Sequence, residues 1–221
     1  MRATPSPAQV RLLRRRVLSW WRLQTFDYPW RVTSNPWLGL VAEVLLQRTR
    51  AAQVVPVYKR FAAKYPTPAS FLKDSRSGTV TATLGLHVRA DHLRAVADTI
   101  IRGVPTDEKE LRKIRGIGAY TSAAWLSFHL GQRAVIVDAN IFRWLGRMTG
   151  RPYHRDPRGV RWVRRCADQL TPRRAFRAYN YAVLDFTMSV CTPRKPKCET
   201  CVLQSLCSFG KRSCRRMTLK R

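Results

Sequence analysis

The sequence predicts an all-α protein whose helices form two interlocked lobes. Three observations carry this. Long segments repeat their apolar residues at helical spacing, and no convincing β alternation appears. Prolines, glycines and capping residues fall at the ends of those segments. No internal repeat or low-complexity linker separates one half from the other, so the lobes must share the chain rather than follow one another. A length of 221 residues allows an ample core, and 45% apolar residues with seven Trp describe a folded globular chain. The expected division puts residues 31–135 in a six-helix lobe and residues 1–30 together with 136–221 in a second.

The elements follow in order. Val10 to Leu23 reads as a basic helix ended by the Tyr28-Pro29-Trp30 turn. Asn35-Pro36 opens a helix from Trp37 to about Arg50, with proline in the first turn, where its missing N–H costs nothing. Ala51 to Tyr65 is next, with Pro56 in its early part and Pro66 past its end. Pro68 to Lys73 and Thr79 to Leu84 are short, the latter broken by Gly85. Ala90 to Arg102 is stopped by Gly103 and Pro105. Asp107 to Ile114 and Gly118 to Leu130 are joined by a glycine turn. Asn140 to Thr149, Arg158 to Leu170 and Arg174 to Val190 complete the series before a cysteine-rich loop.

Charge narrows the function. Lys and Arg number 42 against 13 acidic residues, a formal net charge of +29 spread along the whole chain. Such an excess repels itself unless a polyanion screens it, and nucleic acid is the expected partner. A ribosomal or anionic-membrane protein is the alternative. Arg11 to Arg16 is basic, but the apolar segment after it is short and interrupted by Ser19 and Arg22, so it does not read as a secretory signal. The most apolar stretch, Trp37 to Leu46, contains Glu43 and is too short to span a bilayer. Six cysteines without an export signal point to a reducing compartment, and a cytoplasmic, nucleoid-associated monomer is expected.

Cys191, Cys198, Cys201 and Cys207 stand in the pattern C-x6-C-x2-C-x5-C. Four thiolates that close form a soft ligand set suited to iron–sulfur clusters and to zinc. Zinc sites of four cysteines usually show two C-x2-C pairs set well apart. This chain has one such pair, so a [4Fe-4S] cluster is expected, zinc or disulfides being the alternatives. The cluster reads as structural. Arg194, Lys195 and Lys197 between the first two ligands make a positive loop that can meet phosphate, or simply a solvated one. Cys166 reads as a buried small apolar residue, and Cys214 lies outside the pattern.

Three further features carry chemistry. Leu111 to Ala124 reads as two helices joined by Gly116-Ile117-Gly118, whose exposed amides and helix dipole suit a phosphate beside Lys113 and Arg115. In so basic a chain this is a helix–hairpin–helix; an ordinary αα-hairpin is the alternative. Asp138 ends the apolar run Val135-Ile136-Val137 and precedes a helix, where an N-cap is the plain reading. Glu43 sits in the apolar stretch Leu38 to Leu46, as a buried structural group or as an acid in a base pocket.

Hairpin, Val-Asp and cysteine pattern together resemble the endonuclease III and MutY superfamily of DNA glycosylases across nearly the whole chain. Tyr28-Pro29-Trp30-Arg31, the Glu43-to-Thr49 segment, Asp185-Phe186 and Pro196-Lys197-Cys198 are similar to its MutY-like branch. Val137-Asp138-Ala139-Asn140 and the compact length look like the Mig-type thymine mismatch glycosylases. Adenine glycosylases generally have Asp-Gly-Asn there, Gln-Gln-Thr in place of Gln47-Arg48-Thr49, and a further C-terminal domain that reads 8-oxoguanine.

The resemblance implies the helix–hairpin–helix glycosylase fold with a C-terminal [4Fe-4S] loop. It implies base excision from mismatched double-stranded DNA, of thymine or uracil opposite guanine. Adenine opposite guanine or 8-oxoguanine, and a non-catalytic iron–sulfur DNA-binding protein, are the competing readings. It assigns Asp138 to stabilising the sugar cation and Glu43 to contacting or protonating the departing base. Tyr120 stands where bifunctional members carry a Schiff-base lysine, which implies a monofunctional enzyme. Gln47 and Arg48 would point to the gap left by the flipped base, with Leu86 a candidate wedge or a mere packing residue. Lys113, Arg115, Gly116 and Gly118 would grip phosphate, with Arg115 replacing the hairpin's usual proline.

Overall fold

A computed structural model describes residues 5–85, 88–151 and 161–212. The described residues fold into helices and turns, with no strand. The chain divides into two compact units: residues 26–134, and residues 1–25 together with 135–221. None of the helices is long and apolar enough to cross a membrane, among the described residues.

The second of these units begins with α1 (Pro7–Arg22). Ser6 caps it by accepting from the Gln9 amide, and Gln9 returns the bond to Ser6, with Pro7 at the first helical position. Val10, Leu13 and Val17 are buried on one stripe. The helix packs on α10 (Phe176–Ser189), where the Trp20 ring meets Phe186 edge-on at 5.2 Å and Trp21 Nε1 donates to Asp185 Oδ2 at 2.7 Å. Arg14 donates to the carbonyls of Leu170 and Gln169 at 2.9 and 2.7 Å, satisfying the open end of α9 (Arg161–Leu170). Between α9 and α10 in space, α8 (Ala139–Thr149) packs on both.

The other unit is arranged around α2 (Pro36–Leu45). Asn35 Oδ1 accepts from the amides of Trp37 and Leu38, and the next turns are buried on nearly every side. A helix apolar all round needs neighbours all round, and beside the 3₁₀ turn Pro29–Arg31 three α-helices pack on α2. These are α3 (Ala51–Lys64), α5 (Arg89–Arg102) and α7 (Ala119–Phe128). The short α4 (Pro68–Lys73) leans on α5, and α6 (Glu108–Leu111) on α7. Trp37, Phe61, Tyr65 and Phe71 pack ring on ring, with Trp37 Nε1 donating to the Tyr65 carbonyl at 3.0 Å.

Three expected spans are corrected. The helix from Trp37 to Arg50 ends at Leu45. Residues after it turn, and Arg48 takes a left-handed backbone at φ 56°. Asp107 to Ile114 is helical only over Glu108–Leu111, with Asp107 as its cap, before turns lead into the hairpin. Thr79 to Leu84 is part of a 3₁₀ segment, Ser77–Leu84. The start expected for α9 at Arg158 lies outside the described residues.

The early end of α2 has a visible cause. Arg89 is fully buried, and its guanidinium donates to the Gln47 carbonyl at 2.7 Å, to the Thr49 hydroxyl, and to the Leu84 carbonyl at 2.8 Å. One cation therefore holds the 47–49 turn and the end of the 3₁₀ segment together. Arg89→Met would leave those buried acceptors unpaired. It is expected to destabilise the protein by about 3 kcal/mol, read as a lowered urea midpoint.

Candidate functional site

The hairpin turns through Gly116, at φ 86°. A Cβ there would lie 2.2 Å from the His92 ring, so both conformation and space demand glycine. Gly118 is the N-cap of α7 and offers no side chain to cap it, so the first amides of that helix have no side-chain cap. Lys113 and Arg115 are exposed beside the turn. Arg115 approaches Asp91 at 3.9 Å, an exposed pair that costs little to exchange for phosphate. Tyr120, the second residue of α7, is half-buried.

Gln47 reaches this hairpin from the α2 side. Its amide nitrogen donates to the Gly116 carbonyl at 2.8 Å and to the Thr121 hydroxyl at 3.3 Å. Arg48, next in the turn, is exposed. Glu43 is buried, 4% exposed, and its Oε1 lies 3.7 Å from His129 Nε2. Leu86 lies outside the described residues.

In the other unit Asp138 is both a cap and a held carboxylate. Its Oδ1 accepts from the Ile141 amide at 2.7 Å, opening α8. Its Oδ2 accepts from the Asn140 side-chain amide at 2.7 Å. Desolvation by burial raises its pKa above the ordinary carboxylate value, against the pull of those hydrogen bonds and of the Arg143 charge. Arg143 continues the arrangement. It donates to Asn140 Oδ1 at 2.9 Å, to the Thr187 carbonyl at 2.9 Å, and to the Cys191 carbonyl through two nitrogens at 3.1 and 2.9 Å.

Cys191, Cys198, Cys201 and Cys207 are free thiols that line one cavity with Trp144, Phe186 and Leu203. Among the described residues no three His, Cys, Asp or Glu converge at the spacing of a single metal ion. Four thiols around one apolar cavity fit a polynuclear cluster, whose ligands stand farther apart than those of tetrahedral zinc. N–H groups already face the sulfurs: Arg147 Nη1 at 3.5 Å from Cys191, the Leu203 amide at 3.4 Å from Cys201 and the Gly210 amide at 3.4 Å from Cys207. Burial pushes the metal-free Cys201 thiol up to about 11, so cluster assembly must displace its proton.

Sequence reasoning missed Arg143, Arg89 and His129, and gave Asn140 a place in the Val-Asp-Ala-Asn motif but no role. Asn140 and Arg143, three residues apart on one helix face, carried a faint signal. Arg89 and His129 carried none, because the 47–49 turn and Glu43 that they face are distant from them in the chain.

The family model of the HhH-GPD superfamily of base excision DNA repair proteins matches residues 41–161. That of the iron–sulfur binding domain of endonuclease III matches residues 191–207. A thymine/uracil-DNA glycosylase of Methanothermobacter thermautotrophicus is 34% identical over 200 residues, spanning 87% of this chain and 90% of that protein. An adenine DNA glycosylase of Mycobacterium tuberculosis is 32% identical over 195 residues, spanning 85% of this chain and 64% of that protein. The solved structure of a thermostable thymine-DNA glycosylase superposes with a TM-score of 0.84 at 32% identity, covering 92% of this chain and 97% of its own.

The raised pKa of Asp138 sets an expected pH dependence. A raised pKa means that the carboxylate is lost, as pH falls, above the usual Asp range near ~3.9. If the charged form is the working form, single-turnover base release should fall on an acid limb lying above that range, while duplex binding does not follow it. Asp138→Asn is expected to lower base release by on the order of 10²-fold at neutral pH with binding nearly intact.

Proposed function

This chain belongs to the HhH-GPD superfamily of base excision DNA repair proteins, and we propose that it excises thymine or uracil mispaired with guanine, leaving an abasic site. The observation that carries the choice of base is the near full-length likeness to thymine/uracil-DNA glycosylases at 34% identity. The protein is a DNA glycosylase carrying an endonuclease III-type iron–sulfur motif.

The mispaired nucleotide is extruded from the duplex, which a mismatch makes cheaper. As the N-glycosidic bond breaks, the sugar gains positive charge and the base gains negative charge. The Asp138 carboxylate, fixed by Ile141 and Asn140, stabilises the sugar cation until water adds. Glu43 faces the departing base. The amides at Gly116 to Gly118, with Lys113 and Arg115, bind the phosphate, and Arg48 reaches the emptied stack with Gln47 at its side. Cys191, Cys198, Cys201 and Cys207 would hold the cluster and thereby fix the loop that carries Arg194, Lys195 and Lys197 toward phosphate.

Tyr120 supports a monofunctional reaction, since a phenol forms no Schiff base. The likeness to adenine glycosylases keeps adenine as the second reading.

Duplexes bearing thymine or uracil opposite guanine should be cut after enzyme and alkali, but not by enzyme alone. Cutting only at adenine opposite guanine or 8-oxoguanine would replace this reading with the second. Borohydride should trap little wild-type complex and distinctly more Tyr120→Lys complex on the same duplex. Strong wild-type trapping would mean another amine does the chemistry. Binding should weaken ~10³-fold between 50 and 200 mM salt if ~6 phosphates are neutralised, as a titration by fluorescence anisotropy would read.

A further inference from the structure

Gly39 sits in the interior of α2, a position where glycine disfavours a helix. A Cβ on it would stand 2.5 Å from His129 Nδ1. The glycine therefore makes room for an imidazole. His129 closes α7, and the carbonyl end of a helix suits a group able to carry positive charge. The Trp125 ring stacks on the imidazole at 5.2 Å between centroids, tilted 28°. The side chain is 3% exposed, and its Nε2 has no hydrogen-bond partner. What that nitrogen faces is Glu43, with Oε1 at 3.7 Å. Less than ~1 Å of side-chain movement brings the two to hydrogen-bond length.

A carboxylate alone is a poor neighbour for a leaving pyrimidine, which departs as an anion with charge shared between its ring nitrogen and its carbonyl oxygens. It becomes a useful one if it holds a proton to donate. We propose that His129 is the proton partner of Glu43, a positioning residue that keeps one proton within the pair so that Glu43 can deliver it to the departing base. This rests on the reading of Glu43 as the base-facing acid.

The step balances. The carbon–nitrogen bond of the nucleotide breaks, and its electron pair stays on the base nitrogen. The proton held by the pair leaves the Glu43 carboxyl for the base. The pair is left as a carboxylate and a neutral imidazole, and solvent returns the proton once the base has gone. The unoccupied Nε2, the 3.7 Å approach and the missing Cβ at Gly39 all serve this one contact.

The test is a mutant cycle on the holoenzyme with a thymine–guanine duplex, reading single-turnover base release and duplex affinity separately. The variants are Glu43→Gln, His129→Leu and the double variant, with visible cluster absorption as the folding control. Gly39→Ala is a second probe, since it keeps both side chains and displaces only the ring. Glu43→Gln is expected to slow release by ~10²-fold with affinity little changed. His129→Leu should slow it by ~10-fold or more, and should add nothing in the Glu43→Gln background. Gly39→Ala should slow release in the wild-type background alone. If His129→Leu lost its cluster absorption, Gly39→Ala would carry the comparison. Release at the wild-type rate in the His129 and Gly39 variants, or losses that add in full to that of Glu43→Gln, would overturn the pairing and leave Glu43 as the base-facing acid. A wild-type rate in Glu43→Gln would overturn both.

Discussion

One guanidinium ties the iron–sulfur loop to the Asp138 carboxylate. Arg143 grips the Cys191 and Thr187 carbonyls with one side of its fork and Asn140 with the other. Asn140 in turn holds Asp138, whose second oxygen opens α8. Charge-assisted bonds in a chain of this kind strengthen one another and fix a single arrangement. The loop between the first and last cysteines is therefore part of the support of Asp138. The carboxylate proposed for base release is thus also the cap of α8. The cap amide fixes one oxygen, and the orientation of the other is left to Asn140.

The other unit uses the same device on a different target. Arg89 is a fully buried cation whose acceptors are two carbonyls and a hydroxyl, with no carboxylate among the bonds that hold it. Burying such a charge is costly, and it persists only where several acceptors converge. Their convergence determines where α2 stops. Arg48 is thereby turned to the surface in a left-handed conformation, while Gln47 is drawn to the hairpin carbonyl of Gly116. Side chains read as DNA-facing are thus presented by a turn that the core enforces. Gln47 is partly engaged with the protein itself, so its reach toward DNA would require giving up that bond.

How much could be read beforehand follows from the range of each interaction. The hairpin was legible because Gly116 answers a local demand, a positive φ with a ring against its Cα, and glycine is the residue that meets it. The cysteine cavity was legible because ligand spacing is itself sequence. The start of α1 was read too late, at Val10, although Ser6 and Gln9 form its capping box around Pro7. The end of α2 was not legible, since Leu46 to Arg50 contains no proline or glycine to stop a helix and the group that breaks it lies far along the chain at Arg89. Asp107 to Ile114 was overdrawn for a related reason. Turns that lead into a hairpin keep helical spacing of Leu111 and Ile114 without keeping the helix. His129 was silent, because a histidine at the end of an apolar helix reads the same whether or not a carboxylate faces it.

The carboxylates of so basic a chain differ in how well the fold supports them. Asp185 is buried and accepts from Trp21 Nε1. Asp138 gains an amide and an asparagine, and still keeps a raised pKa because burial outweighs them. Glu43 meets His129 at a distance too long for a good hydrogen bond. An apolar side chain of similar volume in the middle of α2 would meet the same neighbours without the cost of a desolvated acid. The helix around it accepts an interior glycine as well, at the position that admits the imidazole. Two departures from what packing prefers, side by side and directed at the same contact, are what the proposed site would impose on the fold rather than what the fold needs for itself.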